Sequence, residues 1–265
     1  MQRPIGPPVV APTVVFDLDG TLVDTVPDIA VALDRVLAPY GTPPTTPAEA
    51  ATMMGDGLNE FFWRALVHKR LSLSAQEADV ARLRFLAAYR ASPAHLSEIY
   101  PGIRELLRDL RARGALTAVC TNKVETIARL ILDRLQLTPL FDAIVGSGGD
   151  APMKPDPRPL QQAVLRAGGA MSRALLVGDT GADNGAAIAA GIPVVLLTFG
   201  YSHVPIRALK YGAMADSAAE LRAAVMAFVE NGEAVRHLAP LSKAVPETSV
   251  IDLPEDHGAP YRQAA

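Results

Sequence analysis

The chain has 265 residues, of which 49% are hydrophobic and 20% charged, with a formal net charge of −3 at pH 7. That length can form one large core, or a core with a smaller second domain. A slightly acidic chain has no general attraction for phosphate backbones or anionic lipid, so neither nucleic acid nor a membrane is an expected partner. The single cysteine, Cys120, excludes an intramolecular disulfide, and without a secretory signal or a long apolar run the expected location is the cytoplasm.

Short apolar runs alternate with amphipathic helical patterns along much of the chain. Helices are predicted at 102–113, 123–136 and 157–167, and a last one at 217–229. The alternation predicts an α/β fold, a doubly wound, Rossmann-like parallel sheet with its functional groups at the carboxyl ends of the strands. The runs predicted as strands buried on both faces are 13–18, 115–120, 142–146, 174–178 and 193–199.

The sequence predicts that an α-helical domain is inserted after the first strand. Residues 25–97 hold no convincing strand, and Thr25 and Asp28 have the spacing of a capping box at the start of the first inserted helix. The sequence therefore predicts a core domain at 1–24 and 98–230, a helical domain at 25–97, and a tail at 231–265 that we expect to be mobile. Helical patterns within the insertion cover 28–38, 57–71 and 75–91, separated from one another by loops such as the proline-rich 39–47.

Polar residues with complementary chemistry follow four of the predicted strands, whose carboxyl ends share one rim in a parallel sheet. Several carboxylates tolerate one another when a cation joins them, and oxygen ligands suit Mg²⁺. A lysine and a hydroxyl group would hold a phosphoryl group, one carboxylate would attack it, and another would transfer a proton. The residues are Asp17 and Asp19 after the first strand, Thr121, Asn122 and Lys123 after the second, Lys154 after the third, and Asp179 and Asp183 after the fourth.

Each of these features also has a structural interpretation. Asp19 and Gly20 are typical of a turn, Thr121 and Asn122 are suited to capping the next helix, and Lys154 is typical of a solvated loop lysine. The occurrence of all four features together favours a site.

The segments "DLDGTLVDT", "CTNK", "MKPDP" and "GDTGADNGAA" resemble, in order and spacing, the four motifs of the haloacid dehalogenase-like phosphatases. The resemblance covers about residues 13–225 and is closest to the phosphoglycolate phosphatase group. It implies a Mg²⁺-dependent phosphatase, monomeric or homodimeric, that acts on a small phosphorylated metabolite through an aspartyl-phosphate. The resemblance favours 2-phosphoglycolate as the substrate. Asp19 is absent from the dehalogenases of the family, so its presence favours phosphoryl chemistry.

The resemblance also implies roles for individual residues. The helical insertion would be a cap that closes over the site, and its loop 53–62 would contact substrate. By position, Asp17 resembles the nucleophile and a metal ligand, and Asp19 resembles the general acid/base, with its main-chain carbonyl on the metal. Asp179 resembles the metal carboxylate, and Asp183 a supporting acid at or near the metal. Thr121 and Lys154 resemble the phosphate-binding pair, and the residues in the position of substrate contacts are Asn122, Gly55 and Gly57.

Three alternatives remain open from the sequence. The first is a sugar phosphomutase resembling β-phosphoglucomutase, which would use the same residues. The second is a pyrophosphatase or a phosphosugar phosphatase. The third is a non-catalytic regulatory protein that binds a phosphorylated ligand, which would not need every catalytic position filled.

Overall fold

The computed structural model describes residues 10–55, 57–148, 152–202, 205–209 and 212–231. The strands are β1 (Thr13–Phe16), β2 (Val23–Asp24), β3 (Glu98–Ile99), β4 (Leu116–Val124), β5 (Ala143–Ser147), β6 (Ala174–Gly178), β7 (Val194–Leu197) and β8 (Ala213–Ala215). Six of them form a parallel sheet in the order β5-β4-β1-β6-β7-β8. The predicted parallel α/β architecture is therefore confirmed.

Helices cover both faces of this sheet, which explains why its strands are apolar throughout. Within β1, Val14 and Phe16 belong to one buried cluster and Val15 to the other, as side-chain alternation requires. The α-helices are α1 (Val26–Leu37), α2 (Pro47–Met53), α3 (Leu58–His68), α4 (Ala75–Ala91), α5 (Ile103–Ala112), α6 (Glu125–Arg134), α7 (Arg158–Arg166), α8 (Gly181–Ala190) and α9 (Ala218–Asn231).

The helical insertion begins and ends at a two-stranded antiparallel sheet. Strands β2 and β3 pair Val23 with Ile99 and Asp24 with Glu98, so the chain leaves the core and returns at one place. Helices α1 to α4 lie between these strands, and the described part of 25–97 contains no strand, as predicted. Helix α2 was not predicted. It begins directly after the proline-rich loop, where Thr46 and Glu49 form a capping box.

The predicted capping box at the start of α1 is wrong. Thr25 occupies the N-cap position, but its Oγ1 donates to Oδ1 of Asp19 at 2.5 Å instead of capping the helix. The Asp28 carboxylate accepts main-chain N–H groups from His95, Leu96 and Ser97. These long-range partners satisfy the two side chains, and Asp28 thereby fastens α1 to the segment that re-enters the core.

The last predicted helix is present and extends to Asn231, and Ser217 Oγ accepts the main-chain N–H of Glu220 near its start. Strand β8 was not predicted, because three residues are too few to show a pattern. The tail beyond Asn231 lies outside the described residues. Among the helices described, none combines the length and apolar character needed to cross a membrane.

Candidate active site

Three buried carboxylates meet at the carboxyl ends of β1 and β6. Asp17 follows β1, Asp179 follows β6, and Asp183 lies in the first turn of α8. Each offers one oxygen atom, and these atoms lie within 4.8 Å of one another. The strands are neighbours in the sheet, so their ends bring together residues more than 160 positions apart. A set of three buried carboxylates fits a hard divalent cation such as Mg²⁺.

The electrostatics of this cluster also fit a cation. Burial raises the pKa of Asp17 to about 6; Lys154 opposes that rise, while the charges of Asp183 and Asp19 add to it. Burial and the neighbouring Asp17 and Asp183 likewise raise the pKa of Asp179 well above its ordinary value. Like charges in a buried cluster disfavour ionisation, and a bound cation would favour it.

Lys154 is buried beside the cluster, so the interpretation as a solvated loop lysine is wrong. Its Nζ lies 3.0 Å from Oδ1 of Asp17 and 2.6 Å from Oδ1 of Asp183, and its side chain is only 1% exposed. Burial lowers the pKa of Lys154, but the two carboxylates outweigh burial and raise it above its usual range. Lys154 therefore carries a positive charge at the site, where it can attract a phosphoryl group.

Asn122 holds the main chain at Lys154. Its Nδ2 donates to the Lys154 carbonyl at 2.9 Å, and its Oδ1 accepts the Lys154 N–H at 2.8 Å. Both polar atoms of the amide side chain are thus engaged with the loop that carries the lysine. Thr121 and Asn122 do not cap the next helix, because α6 begins at Glu125 and its N-cap is Val124.

The "GT" of the first motif orients Asp179. Thr21 Oγ1 donates to Oδ1 of Asp179 at 2.8 Å, and the Tyr201 main-chain N–H donates to Oδ2 at 2.7 Å. Gly20 has a φ of +79°, and a Cβ at that position would lie 2.1 Å from Asp179 Oδ2. Glycine is required there for both its backbone conformation and the close approach of the carboxylate.

Asp183 supports the site from within α8. Its Oδ2 accepts from the Thr180 N–H, the Thr180 hydroxyl and the Asp179 N–H, while Oδ1 pairs with Lys154. Both oxygens are therefore engaged with the protein. The charge of Asp183 also lies favourably at a helix N-terminus.

The Asp19 side chain is not part of the three-carboxylate cluster. Its Oδ1 and Oδ2 lie 2.8 and 2.7 Å from Nζ of Lys123, and Oδ1 also accepts from Thr25. β1 ends at Phe16, so the alternation along β1 does not extend to Asp19, which forms an isolated bridge with Val23. Asp17 and Asp19 nevertheless line the same cavity.

That cavity lies between the strand ends and the helical insertion, and its volume is about 410 Å³ including the open mouth. A Cβ on Gly57 would lie 3.9 Å from the main-chain oxygen of Asn122, so the insertion reaches the rim of the sheet. Lys154, Asp179 and Asp183 are not among the residues that line the cavity. Its lining comprises Asp17, Asp19, Met54, Gly55, Gly57, Leu58, Thr121, Asn122, Lys123, Thr180 and Tyr201.

The sequence placed Lys123 at the end of the second predicted strand but gave it no role, and it missed Tyr201 altogether. Lys123 stands two positions after Thr121 on β4, and both residues line the cavity. Tyr201 lies in the loop after β7, where its hydroxyl accepts the Thr25 N–H at 2.9 Å and donates to Asp24. The sequence contains no periodic signal for this tyrosine.

The fold places acidic residues at the ends of β1 and β6, with a lysine beside them. Comparison with known proteins identifies the class of protein to which this arrangement belongs. The model of the haloacid dehalogenase-like hydrolase family matches residues 14–197. The chain belongs to this family. It is thus an enzyme of the hydrolase class.

Individual relatives give a narrower comparison. A phosphoglycolate phosphatase of Caulobacter vibrioides is 39% identical over 197 residues, covering 74% of this chain and 83% of its own. One from Rhodospirillum rubrum is 40% identical over 215 residues, covering 78% and 88%. The crystal structure of a predicted phosphoglycolate phosphatase from Haemophilus somnus superposes with a TM-score of 0.73 at 30% identity, covering 80% of this chain and 96% of that one. The chain is similar to phosphoric monoester hydrolases of this kind.

Proposed function

We propose that this protein is a Mg²⁺-dependent phosphatase that hydrolyses 2-phosphoglycolate to glycolate and phosphate through an aspartyl-phosphate on Asp17. The observation that carries the proposal is the convergence of Asp17, Asp179 and Asp183 with Lys154 at one end of the sheet. The similarity to phosphoglycolate phosphatases supports the choice of substrate.

Asp17 is the proposed nucleophile because it is the one carboxylate of the buried cluster that also lines the cavity. One of its oxygens would attack the phosphorus, and the bond from phosphorus to the glycolate oxygen would break. Lys154 beside it would balance charge on the phosphoryl oxygens. Thr121 lines the same cavity and would donate its hydroxyl to the phosphoryl group.

Asp19 is the proposed general acid/base. The departing glycolate oxygen would take a proton from the Asp19 carboxyl group. In the second half of the reaction, a water oxygen would attack phosphorus, its proton would pass to the Asp19 carboxylate, and the bond between Asp17 and phosphorus would break. Asp19 suits this role since it lines the cavity but does not belong to the cluster of carboxylates.

Mg²⁺ would be held by the buried carboxylates of Asp17 and Asp179, with Asp183 in support. The main-chain carbonyl of Asp19 would be a further ligand, as the resemblance implies. When bound, the ion would neutralise part of the charge on the carboxylates and on the phosphoryl group. Without it, the accumulated negative charge would repel an anionic substrate.

The helical insertion, residues 25–97, is the proposed cap domain over the core formed by 1–24 and 98–230. Met54, Gly55, Gly57 and Leu58 line the cavity from the insertion. This loop would contact the part of the substrate that does not react and exclude bulk water when the cap closes. A small substrate suits the narrow space between this loop and the strand ends.

A phosphate-release assay over phosphorylated metabolites tests the proposal, with Asp17→Asn as the control. We expect 2-phosphoglycolate to give the highest kcat/KM and the variant to release no phosphate above background. Faster hydrolysis of a sugar phosphate or of pyrophosphate would overturn the choice of substrate. Binding of phosphate without turnover would instead support the non-catalytic alternative.

A sugar phosphomutase is distinguished by its product. Incubation with glucose 1-phosphate would yield glucose 6-phosphate without free phosphate if the phosphoryl group were returned to a substrate. We expect free phosphate, or no reaction, with this compound.

A further inference from the structure

Lys123 is a buried cation without a role in the chemistry described above. Its side chain is fully buried, and both oxygens of Asp19 lie within 2.8 Å of its Nζ. The Tyr89 ring, from α4 of the helical insertion, lies 4.9 Å from the same Nζ. The lysine therefore contacts one carboxylate of the core and one aromatic ring of the insertion.

A buried lysine costs desolvation energy unless it is well paired. Burial lowers the pKa of Lys123, but the charge of Asp19 outweighs it and raises the pKa above its ordinary value. Lys123 therefore carries its positive charge beside Asp19. The ring of Tyr89 adds a favourable cation–π contact while shielding the ammonium group.

The two lysines of the site form ion pairs with different carboxylates. Lys154 pairs with Asp17 and Asp183, and Lys123 pairs with Asp19. Apart from Lys123, the one side chain with a described hydrogen bond to the Asp19 carboxylate is Thr25, which donates to Oδ1 alone. Lys123 thus supplies the only described contact of Asp19 Oδ2. This contact sets the rotation of the Asp19 carboxylate plane.

We propose that Lys123 is a positioning residue that holds the Asp19 carboxylate in the orientation needed for proton transfer. The inference rests on the proposed function, in which Asp19 is the general acid/base. A proton-transfer group is effective only within hydrogen-bond reach of the reacting oxygen, so loss of its orientation slows the step that needs the proton. The proposed role of Lys123 is to orient Asp19, and not to contact the reacting atoms.

The test compares two substrates that differ in their need for a proton. The glycolate oxygen of 2-phosphoglycolate is a poor leaving group that requires protonation, while the nitrophenolate of p-nitrophenyl phosphate departs without it. We expect Lys123→Met to lower kcat/KM by about 100-fold for 2-phosphoglycolate. For p-nitrophenyl phosphate we expect a change of less than about threefold, because its first irreversible step does not need the acid.

A double-mutant cycle shows whether Lys123 acts through Asp19. In an Asp19→Asn background, Lys123→Met should change kcat/KM for 2-phosphoglycolate by less than about twofold, since the group that it positions is already absent. Equal losses on the two substrates, or losses that multiply in the double variant, would overturn the proposal. Lys123→Arg keeps the charge and should recover part of the activity.

Lys69→Met is the matched control. Lys69 lies on the insertion, where its Nζ donates to the Pro43 carbonyl at 2.9 Å, far from any role in the chemistry. We expect it to leave both activities unchanged. Circular dichroism and thermal unfolding of all variants identify any that fail to fold.

A crystallographic measurement separates this inference from the proposed function. In Lys123→Met, the Asp19 carboxylate should rotate or adopt several orientations, while Asp17 and Asp179 keep the positions that they have in the wild type. An unchanged Asp19 would refute the positioning role even if the enzyme is a phosphatase. A wild type that hydrolyses neither substrate would overturn the proposed function, and the orientation of Asp19 would still decide the role of Lys123.

Discussion

The Nζ of Lys154 lies 2.6 Å from Oδ1 of Asp183, and neither side chain is more than 1% exposed. Lys154 also pairs with Asp17, so it is the cation that compensates two buried carboxylates. The stability of the protein should therefore depend on it.

Lys154→Met should lower the free energy of unfolding in metal-free buffer by about 3 kcal/mol or more, because removal of one partner leaves buried charge uncompensated. Urea denaturation at pH 7 measures the change. Lys69→Met, at a partly exposed position, should alter stability by less than about 0.5 kcal/mol. Equal stability of the two variants would contradict the electrostatic role of Lys154.

Gly20→Ala should weaken Mg²⁺ binding. The added Cβ would lie 2.1 Å from Asp179 Oδ2, so the carboxylate would have to move. Gly41→Ala is a matched control, because Gly41 has a similar φ of +74° but nothing within 4 Å of an added Cβ. Calorimetric titration with Mg²⁺ should show at least about tenfold weaker binding for Gly20→Ala, of the size seen when the support of a ligand is lost. Comparable affinities in the two variants would show that the close approach of Gly20 to Asp179 is not needed for Mg²⁺ binding.

Asp17 should make the stability of the metal-free protein depend on pH. Its pKa is about 6 in the folded state, against an ordinary value of 3.8. A carboxyl group whose pKa is raised by folding contributes stability below its unfolded pKa, and this contribution is lost as the pH rises through the folded pKa. The free energy of unfolding of the wild type relative to Asp17→Asn should thus fall between pH 4 and pH 7, by at most about 3 kcal/mol.

Chemical denaturation of both proteins in a chelator, at several pH values, measures that difference. Mg²⁺ should restore much of the lost stability of the wild type at pH 7, since a ligand that binds only the folded state stabilises it. A difference in the free energy of unfolding that stays constant from pH 4 to pH 7 would show that folding does not disfavour the ionised form of Asp17.

Asp17→Asn should also lower kcat by at least about 10³-fold, because an amide is a poor nucleophile and cannot replace the attacking carboxylate. Phosphate release under saturating substrate and Mg²⁺ gives kcat, and chelation of the metal should silence the wild type in the same assay. The fold should persist, since the substitution removes one of three neighbouring negative charges. Phosphate release at the wild-type rate would rule out Asp17 as the nucleophile.

Much of the core was predictable because the signals for it are local. The run at 174–178 is β6 with the same limits, and the apolar stretch at 13–18 contains β1. Strands buried on both faces must be apolar throughout, so the pattern is strong even in short runs. The convergence of Asp17 with Asp179 followed from topology, since the carboxyl ends of parallel strands share one edge.

Capping illustrates where local signals mislead. Thr25 and Asp28 have the spacing of a capping box, yet their side chains bind Asp19 and the backbone of 95–97. Thr46 and Glu49 do form a capping box, at the start of α2. This helix was not predicted because the loop before it is rich in proline. Spacing shows that two groups can interact within one turn, but it cannot show whether a distant partner competes for them.

The sequence by itself determined the parallel α/β core, the helical insertion and the acidic and basic groups that line one rim, because all of these depend on local pattern and on strand direction. Only the tertiary structure decided which lysine pairs with which carboxylate. Lys123 and Asp19 are 104 positions apart, and Lys154 and Asp183 are 29 apart. Such pairs are set by how strands and loops pack at the rim, and buried charges accept only partners within a few ångströms.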